Sequence, residues 1–221
     1  MYKRFLKRLI DFLLAFFGLL LSSPLWLLAI IGILINDFGP VFYLSSRIGK
    51  NNKEFKMIKF RSMRIVKNDD ESSLRPDQDR IFFVGRIIRK LKIDELPQLL
   101  NILAGHMAIV GPRPVAKSQM HFFRAGKYEE TKKVRPGLTG PAALYDYIYG
   151  DQFEDNDLEK YESEVLPTRR ELELVYIRKI GFCFDFKVFF DTAWCVICRL
   201  FRRTPKSLLH KLTKLAEENK E

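Results

Sequence analysis

The sequence predicts a mainly α-helical protein with a small β-hairpin, an N-terminal membrane helix, a compact cytosolic helical domain and amphipathic helices at the membrane surface. Three observations support this fold class. No charged residue occurs from Phe12 to Ile35, most of the remaining chain has apolar residues at helical spacing, and two short β-prone runs flank a turn-rich segment. The length of 221 residues suits one compact domain plus an appendage. We therefore expect residues 1–36 to form the membrane helix, 37–203 the cytosolic domain and 204–221 a charged tail helix.

The uncharged stretch is long enough to cross a bilayer, yet two features favour a helix that enters the membrane and returns. Its 24 residues would extend about 36 Å as a helix. Both flanks are rich in Lys and Arg, whereas a spanning helix has its basic excess on one side. Ser23 and Pro24 interrupt the middle, where proline removes an amide donor and serine hydroxyls can bind the freed carbonyls. A re-entrant helix kinked near Ser23-Pro24 explains these features, but a plain span that tolerates the proline also remains open.

A second apolar segment lies in the C-terminal third. From Phe186 to Phe201, aromatic and aliphatic residues recur at helical spacing, and a basic cluster that includes Arg199 ends the run. This pattern indicates a helix in the headgroup plane, and a core helix of the cytosolic domain explains it equally well. Cys195 and Cys198 lie in this segment without a second pair of metal ligands. We therefore interpret them as packing residues or lipid contacts in a reducing compartment.

The rest of the chain divides into short elements. Val41–Leu44 and Phe55–Phe60 are predicted to pair as a hairpin. The other expected elements are a polar loop over 67–79, helices over 82–91, 96–103 and 119–128, a rigid loop over 135–140, a charged helix over 158–180 interrupted near Pro167, and a helix after Thr204.

The charge of the chain predicts an anionic partner. The net charge is +11 and the pI is about 9.6, which suits nucleic acid, acidic lipid or a phosphorylated substrate. The sequence contains no zinc finger, helix-turn-helix or RNP-type motif, and an apolar run near the N-terminus argues against a nucleic-acid protein. Acidic lipid and a phosphorylated substrate remain. An oligomer is compatible with the sequence but is not indicated by it.

The adjacent carboxylates Asp94 and Glu95, here called the dyad, are the candidate catalytic residues. An Asp-Glu pair is most often solvated surface, but this one lies between a basic segment and a short apolar helix. Asp94 is placed to cap that helix, so the helix dipole should favour its ionised form. Two adjacent carboxylates are stable near a cation, and Mg²⁺ prefers one or two carboxylates together with phosphate oxygens.

Four basic residues are candidate phosphate ligands. Arg113 lies between two prolines, which restrict its backbone, and a guanidinium suits bidentate phosphate contact. Arg135 precedes Pro-Gly, where glycine lets an anion approach the backbone. Lys59 and Arg61 belong to the second strand of the predicted hairpin and could present a basic face. For Lys59 alone, a solvated surface charge is the simpler interpretation.

Five motifs together resemble a known family. They are Ser23-Pro24, Lys59-Phe-Arg-Ser-Met63, Asp94-Glu-Leu-Pro-Gln98, Val110-Gly-Pro-Arg-Pro114 and Arg135-Pro-Gly-Leu-Thr-Gly140. In their order and spacing, over roughly residues 5–140, they resemble the bacterial monotopic phosphoglycosyl transferases, in a minimal catalytic form. The resemblance implies that residues 37–203 transfer a sugar-1-phosphate from a UDP-sugar to polyprenyl (undecaprenyl) phosphate and release UMP, as the first membrane step of glycoconjugate assembly. It also implies a re-entrant helix on the cytoplasmic face of the bacterial inner membrane.

The resemblance further implies roles for the dyad. Asp94 would be the nucleophile that forms a phosphosugar-enzyme, and Glu95 would hold Mg²⁺. Two departures stand out: His106 replaces an aspartate that is common before Val-Gly-Pro-Arg-Pro, and Pro141–Asp146 replaces a segment that commonly contains glutamine. The sugar therefore stays unnamed. The alternative hypothesis is a non-catalytic membrane scaffold that binds acidic lipid or a partner protein, which leaves the spacing of the five motifs unexplained.

Overall fold

The computed structural model describes residues 2–65, 78–149, 161–201 and 203–219. Within these ranges the chain is mainly helical and contains two small sheets, which confirms the predicted mainly helical content and the hairpin. In chain order the elements are α1 (Lys7–Asn36), β1 (Phe42–Ile48), β2 (Glu54–Phe60), α2 (Phe83–Lys90), α3 (Gln98–Leu103), β3 (Ala108–Val110), α4 (Met120–Phe123), β4 (Gly137–Thr139), α5 (Pro141–Ile148), α6 (Leu166–Lys179), α7 (Phe182–Leu200) and α8 (Lys206–Glu217). Most of the loop predicted over 67–79, and the start of the helix predicted over 158–180, lie outside the described residues.

Helix α1 contains Pro24 and remains helical on both sides of it. Because proline has no amide hydrogen, Pro24 leaves the carbonyl of Leu20 without its helical donor. The hydroxyl of Ser23 donates to that carbonyl at 2.8 Å, so the side chain before the proline satisfies the freed group. Among the described helices, α1 is the one that is long and apolar enough to cross a membrane, judged by length and composition.

Both ends of α1 contact the same folded body. Near its N-terminus, the Arg8 guanidinium donates to the carbonyls of Ile102 and Leu103 at the end of α3, at 2.5 and 2.8 Å. At its C-terminus, the side-chain oxygen of Asn36 accepts a hydrogen bond from the amide of Val84 in α2 at 2.9 Å. The body therefore extends along α1 from one end to the other.

The face of α1 between these ends is formed by small and apolar residues that pack on the body. Ala15, Ala29 and Ile33 are buried, and a Cβ added to Gly18 would lie 3.4 Å from the side chain of Leu99. The opposite face keeps its large apolar side chains exposed. Only one side of the helix is therefore covered by protein.

A buried ionic group, here called the anchor cluster, joins α1 to α7. It consists of Tyr2, Lys7, Asp11 and Asp185. One Asp185 oxygen accepts from the Tyr2 hydroxyl at 2.6 Å and from the Lys7 ammonium at 2.8 Å. Asp11 accepts from the amide of Ile109 at 3.0 Å and lies 3.6 Å from Lys7. Charged groups this buried are stable only when paired, so the cluster fixes how α1 docks.

The second sheet was not predicted, because the sequence indicated a loop over 135–140 and no secondary structure was assigned to 108–110. Strands β3 and β4 run parallel, with Ala108 opposite Gly137 and Val110 opposite Thr139. Strand β3 leads into the Gly-Pro-Arg-Pro motif, and β4 lies within the Arg-Pro-Gly-Leu-Thr-Gly motif. A Cβ on Gly137 would lie 2.1 Å from the backbone nitrogen of Gly111, so only glycine permits this approach. The segment over 135–140 is therefore partly a strand rather than a rigid loop.

Helices α6, α7 and α8 form the C-terminal part of the body. Pro167 lies in the first turn of α6, where its missing amide is tolerated, which agrees with the predicted interruption. Helix α7 buries Cys195 and Cys198, neither of which forms a disulfide. The same helix exposes a large apolar stripe, so it has the features of both a core helix and a surface amphipathic helix. The predicted tail helix is α8, which packs Leu208 and other apolar residues into the core.

Candidate active site

The dyad lies in a tight turn between α2 and α3. Ile93–Glu95 forms a single turn of 3₁₀-helix, and α3 begins at Gln98. Asp94 therefore does not cap α3, contrary to the sequence prediction, because Glu95, Leu96 and Pro97 separate it from the first helical residue. The turn is preceded by Lys92, whose φ of 58° and ψ of 19° are left-handed. This backbone conformation is costly for a residue with a Cβ and concentrates at functional sites.

Asp94 is buried and incompletely hydrogen-bonded. The residue is 6% exposed, and its Oδ1 atom is buried without a hydrogen-bond partner. Burial raises the pKa of Asp94 above its ordinary value, with Lys59 acting in the opposite direction and Glu95 adding to the rise. The sequence prediction that the helix dipole would favour ionisation was therefore wrong in direction, since desolvation dominates. A buried carboxylate oxygen without a donor needs an explanation, and beside a cluster of cations a bound ion or substrate group supplies one.

Glu95 is surrounded by positive charge. Its Oε1 atom lies 3.5 Å from the Lys59 ammonium and 3.6 Å from the Lys92 ammonium. Burial opposes its ionisation, but the charges of Lys92, Lys59 and Arg113 outweigh burial and lower the pKa of Glu95 to about 2. The two carboxylates thus differ: Glu95 is held ionised by cations, and Asp94 is desolvated.

The position of Lys59 beside the dyad follows from a clamp between β2 and α3. The side chain of Asn101, buried in α3, accepts from the amide of Ile58 at 2.9 Å and donates to the carbonyl of Lys56 at 2.8 Å. These bonds to residues on each side of Met57 fix the strand against the helix that follows the dyad. Lys59 therefore reaches Glu95 from a braced strand.

Arg113 is held at its backbone and at its side chain. Its amide donates to both carboxylate oxygens of Glu173 on α6, at 3.1 and 3.2 Å. Its guanidinium Nη1 donates to Asp146 on α5 at 2.7 Å, and the side chain is 45% exposed. Because its charge lowers the pKa of Glu95, Arg113 belongs to the same electrostatic site as the dyad.

Asp146 is a member of the site that sequence reasoning missed. The hydroxyl of Tyr161 donates to its Oδ1, and the Arg169 guanidinium lies 3.8 Å from its Oδ2. Burial opposes ionisation of Asp146, but the charges of Arg169 and Arg113 lower its pKa. In the sequence, Asp146 ends a segment that departs from the family pattern. Only its position just after a glycine-rich motif could have indicated a role.

Two of the predicted phosphate ligands lie elsewhere. The Arg61 guanidinium is 4% exposed, binds Asp37, and donates to the Pro40 carbonyl at 2.6 Å. It thus closes the turn after α1. Arg135 donates from Nε to the Gly105 carbonyl at 2.7 Å. The structure therefore brings Lys59 and Arg113 to the dyad, but not Arg61 or Arg135.

His106, the unexplained departure, also lies apart from the dyad. Its ring stacks on Phe55, with 5.7 Å between the ring centroids. Phe55 lies on the strand that carries Lys59, four residues before it. His106 therefore packs against the hairpin, and the structure gives it no contact with the dyad.

The oxygen donors of the dyad fit a divalent cation that binds together with a phosphorylated substrate. Among the described residues, no group of three or more His, Cys, Asp or Glu side chains could hold a metal ion. A site made wholly of protein ligands is thus absent from this part of the chain. Mg²⁺ does not need one, because it commonly takes one or two carboxylates and completes its shell with phosphate oxygens and water. The unpartnered Oδ1 of Asp94 beside ionised Glu95 suits that arrangement.

Several known proteins are similar in sequence to this chain. A family model described as bacterial sugar transferase matches residues 2–199. The chain is 38% identical over 194 residues to the UDP-glucose:undecaprenyl-phosphate glucose-1-phosphate transferase of Escherichia coli K12, covering 86% of this chain and 40% of that protein. It is 35% identical over 195 residues to the UDP-N-acetylgalactosamine-undecaprenyl-phosphate N-acetylgalactosaminephosphotransferase of Aeromonas hydrophila, covering 85% of this chain and 43% of the relative. It is 41% identical over 151 residues to the exopolysaccharide production protein ExoY of Rhizobium meliloti, covering 61% of this chain and 66% of ExoY.

The relatives differ in length. The chain spans about two fifths of the first two relatives and about two thirds of ExoY. The matched region includes the dyad, the hairpin and the Gly-Pro-Arg-Pro turn, since the family model runs from residue 2 to residue 199. The similarity therefore covers every element that builds the candidate site.

Proposed function

Because the chain belongs to the bacterial sugar transferase family, we propose that it transfers a sugar-1-phosphate from a UDP-sugar to polyprenyl phosphate, such as undecaprenyl phosphate, and releases UMP. The names of its relatives support the substrate classes. The observation that carries the proposal is the dyad itself: a buried Asp94 oxygen without a donor lies beside an ionised Glu95, with Lys59, Lys92 and Arg113 around them. An acidic pair surrounded by cations suits phosphoryl transfer, in which charge on phosphate oxygens must be neutralised.

In the proposed first step, Asp94 is the nucleophile. A carboxylate oxygen of Asp94 forms a bond to the phosphorus that carries the sugar, and the bond from that phosphorus to the bridging oxygen breaks. The bond's electron pair leaves with UMP, and the sugar phosphate remains as an acyl phosphate on Asp94. The charges of Lys59 and Lys92 favour the ionised form of Asp94. Once it is ionised, a desolvated carboxylate is a stronger nucleophile than a hydrated one.

In the second step, the acceptor phosphate replaces Asp94. A phosphate oxygen of polyprenyl phosphate forms the new bond to phosphorus, the acyl-phosphate bond breaks, and the electron pair returns to the carboxylate. The product is polyprenyl-diphosphate-sugar. Two steps let a soluble nucleotide sugar and a lipid phosphate use one nucleophile in turn.

The cations have separate tasks in this scheme. Arg113, oriented by Asp146, would bind phosphate oxygens through a planar guanidinium. Lys59 and Lys92 would neutralise charge close to the dyad. Glu95 would hold Mg²⁺ together with substrate phosphates, and the ion would supply further neutralisation of the transferring phosphoryl group.

We also propose that α1 is re-entrant, with a kink near Ser23-Pro24 where the proline removes a helical hydrogen bond, and that the protein lies on the cytoplasmic face of the bacterial inner membrane. The contacts of both ends of α1 with one body support this arrangement. A helix perpendicular to the bilayer would carry α2 and α3 across it as well. Single cysteines at positions 4 and 50 should be labelled from the same side of sealed vesicles, and labelling from opposite sides would show a span.

Turnover is tested with purified protein in nanodiscs, undecaprenyl phosphate, Mg²⁺ and a panel of UDP-sugars, by following UMP. At least one sugar should give UMP in an acceptor-dependent reaction, and Glu95→Gln should reduce it. Glu130→Gln is the matched control, because Glu130 is exposed and pairs only with neighbouring Lys133 among the contacts described. No turnover with any sugar, or full activity of both Asp94→Asn and Glu95→Gln, would reject the proposal in favour of a non-catalytic scaffold.

A further inference from the structure

We propose that Arg199, Tyr147 and Lys92 form the subsite that receives the phosphate of the polyprenyl acceptor, and that the exposed apolar face of α7 leads the isoprenoid chain to it. The inference rests on the proposed function and assigns a location to the second substrate. It depends on one juxtaposition. The exposed apolar face of α7 ends at Arg199, which contacts Tyr147, and Tyr147 contacts Lys92 beside the dyad.

The apolar face of α7 is continuous and exposed. Its large side chains recur every three or four residues, and so lie on one side of the helix. A folded protein covers such a stripe unless it contacts another apolar partner. The exposed members are Phe182, Phe186, Phe189, Phe190, Trp194, Ile197 and Leu200, followed by Phe201 just beyond the helix.

Arg199 turns from the end of this face toward the active site. Its Nη2 donates to the backbone carbonyl of Tyr147 at 3.1 Å, and its guanidinium carbon lies 5.1 Å from the centre of the Tyr147 ring. Helix α5, which carries Tyr147, also carries Asp146, the partner of Arg113. Arg199 thus links the apolar face of α7 to the helix that carries the partner of Arg113.

Lys92 completes the path on the other side of Tyr147. Its ammonium lies 4.4 Å from the centre of the same ring and 3.6 Å from Glu95. Both cations lie against the same aromatic ring, which attracts each of them. The left-handed backbone of Lys92 keeps its side chain at this end of the dyad turn.

The chemistry of this path matches a polyprenyl phosphate. A long apolar chain suits the face of α7, and a phosphate monoester suits two cations at its end, one of them a guanidinium. The nucleotide sugar has no apolar chain and does not need this approach. An acceptor phosphate bound by Arg199 and Lys92 would lie next to the dyad, where it must attack.

The test separates the two half-reactions. Without acceptor, the first step is reversible and exchanges labelled UMP into the UDP-sugar, so it reports on Asp94 and the nucleotide site alone. With acceptor, the undecaprenyl phosphate concentration at half-maximal rate reports on the second site. Both are measured in nanodiscs of phosphatidylcholine with a fixed fraction of phosphatidylglycerol, for the wild type, Arg199→Gln and Arg203→Gln. Arg203 is the matched control, because it is an exposed arginine beyond the same helix.

For Arg199→Gln we expect the half-saturating concentration of undecaprenyl phosphate to rise about tenfold or more, since charge-assisted hydrogen bonds to phosphate are strong. UMP exchange should remain at the wild-type rate, and Arg203→Gln should match the wild type in both assays. If Arg199→Gln does not fold, Tyr147→Leu removes the shared ring and should raise the same concentration with exchange retained.

Three results would overturn the inference. They are an unchanged half-saturating concentration in the folded variant, an equal rise in Arg203→Gln that indicates general attraction to acidic lipid, and a parallel loss of UMP exchange that places Arg199 in the first step. A wild type without UMP exchange for any sugar would instead reject the proposed function.

Discussion

The dyad and the anchor cluster contain similar groups but in different surroundings. Each has two acidic side chains and at least one lysine. In the anchor cluster, Asp11 and Asp185 accept from a backbone amide, a phenol and an ammonium, and the Lys7–Asp185 pair is only 12% and 8% exposed at its side chains. At the dyad, Glu95 meets two lysine side chains at 3.5 and 3.6 Å, and the Lys59–Glu95 pair is 26% and 24% exposed.

These two regions indicate what distinguishes a structural ionic group from a reactive one. Each region has one buried carboxylate oxygen without a hydrogen-bond donor, on Asp185 and on Asp94, so that feature alone does not separate them. Access does. A closed ionic group such as the anchor cluster stabilises the fold, whereas the ammoniums of a partly exposed site can exchange a carboxylate for a phosphate.

The largest expected effect is on chemistry at the dyad. Asp94→Asn should reduce acceptor-dependent UMP release by about 10³-fold or more, because an amide cannot form the acyl phosphate. The midpoint of thermal unfolding should not fall, since Oδ1 of Asp94 has no hydrogen bond to lose. Parallel activity and melting measurements check both statements, with Glu130→Gln as the control. A strongly destabilised Asp94→Asn would mean that the dyad resembles the anchor cluster after all.

The opposite pattern is expected at the anchor cluster. Lys7→Met leaves Asp11 and Asp185 buried without their cation, and breaking a buried pair in this way costs about 3–5 kcal/mol. Denaturant unfolding in detergent should show this loss, while the folded fraction retains UMP exchange. Lys214→Met is the matched control, because Lys214 is exposed on α8. If Lys7→Met abolishes exchange without loss of stability, the two regions are not functionally distinct.

Glu173, whose carboxylate accepts from the backbone amide of Arg113, should make the stability of the protein depend on pH. Burial raises the pKa of Glu173 from its ordinary 4.5 to about 7. As the pH rises, the unfolded chain releases this proton first, so the free energy of unfolding should decrease between about pH 4.5 and pH 7 and level off above, by at most about 3 kcal/mol. Glu173→Gln should remove this part of the decrease. An identical pH profile in wild type and variant would show that the group ionises alike in both states.

The smallest expected effect concerns Asp146. Asp146→Asn should lower kcat/KM for the UDP-sugar about tenfold, because the 2.7 Å charged contact that orients Arg113 is weakened. In an Arg113→Gln background the same change should have little further effect. Independent, additive losses in this double-mutant cycle would show that Asp146 acts through another group.

The sequence predicted the elements that depend on local patterns. Helix α1, the hairpin, the break at Pro167 and the helix after Thr204 follow from apolar period, turn residues and proline geometry, which act over a few neighbouring positions. The β3–β4 sheet was missed because three-residue strands have almost no local signal. Their parallel pairing depends on residues 108–110 meeting residues 137–139.

The candidate site was predicted in part, and the missing part is the pairing of charges. Lys59 and Arg61 are both basic and lie two residues apart, a spacing that places side chains on the same face of a strand. Strand β2 ends at Phe60, however, so Lys59 meets Glu95 from the strand, whereas Arg61 lies just beyond it and binds Asp37. Asp146 was missed because its partner Arg113 lies 33 positions earlier in the chain. The pKa of Asp94 depends on burial, which a tight turn does not reveal in sequence.

The central claim is that Asp94 forms a covalent phosphosugar intermediate. Mass spectrometry tests it directly: the protein is mixed with a reactive UDP-sugar and Mg²⁺ without acceptor, quenched, digested and mapped. We predict a mass increase of one sugar phosphate on the peptide that contains Asp94, lost when undecaprenyl phosphate is added before the quench and absent in Asp94→Asn. UMP release in the absence of any such adduct, or an adduct on another residue, would contradict the claim.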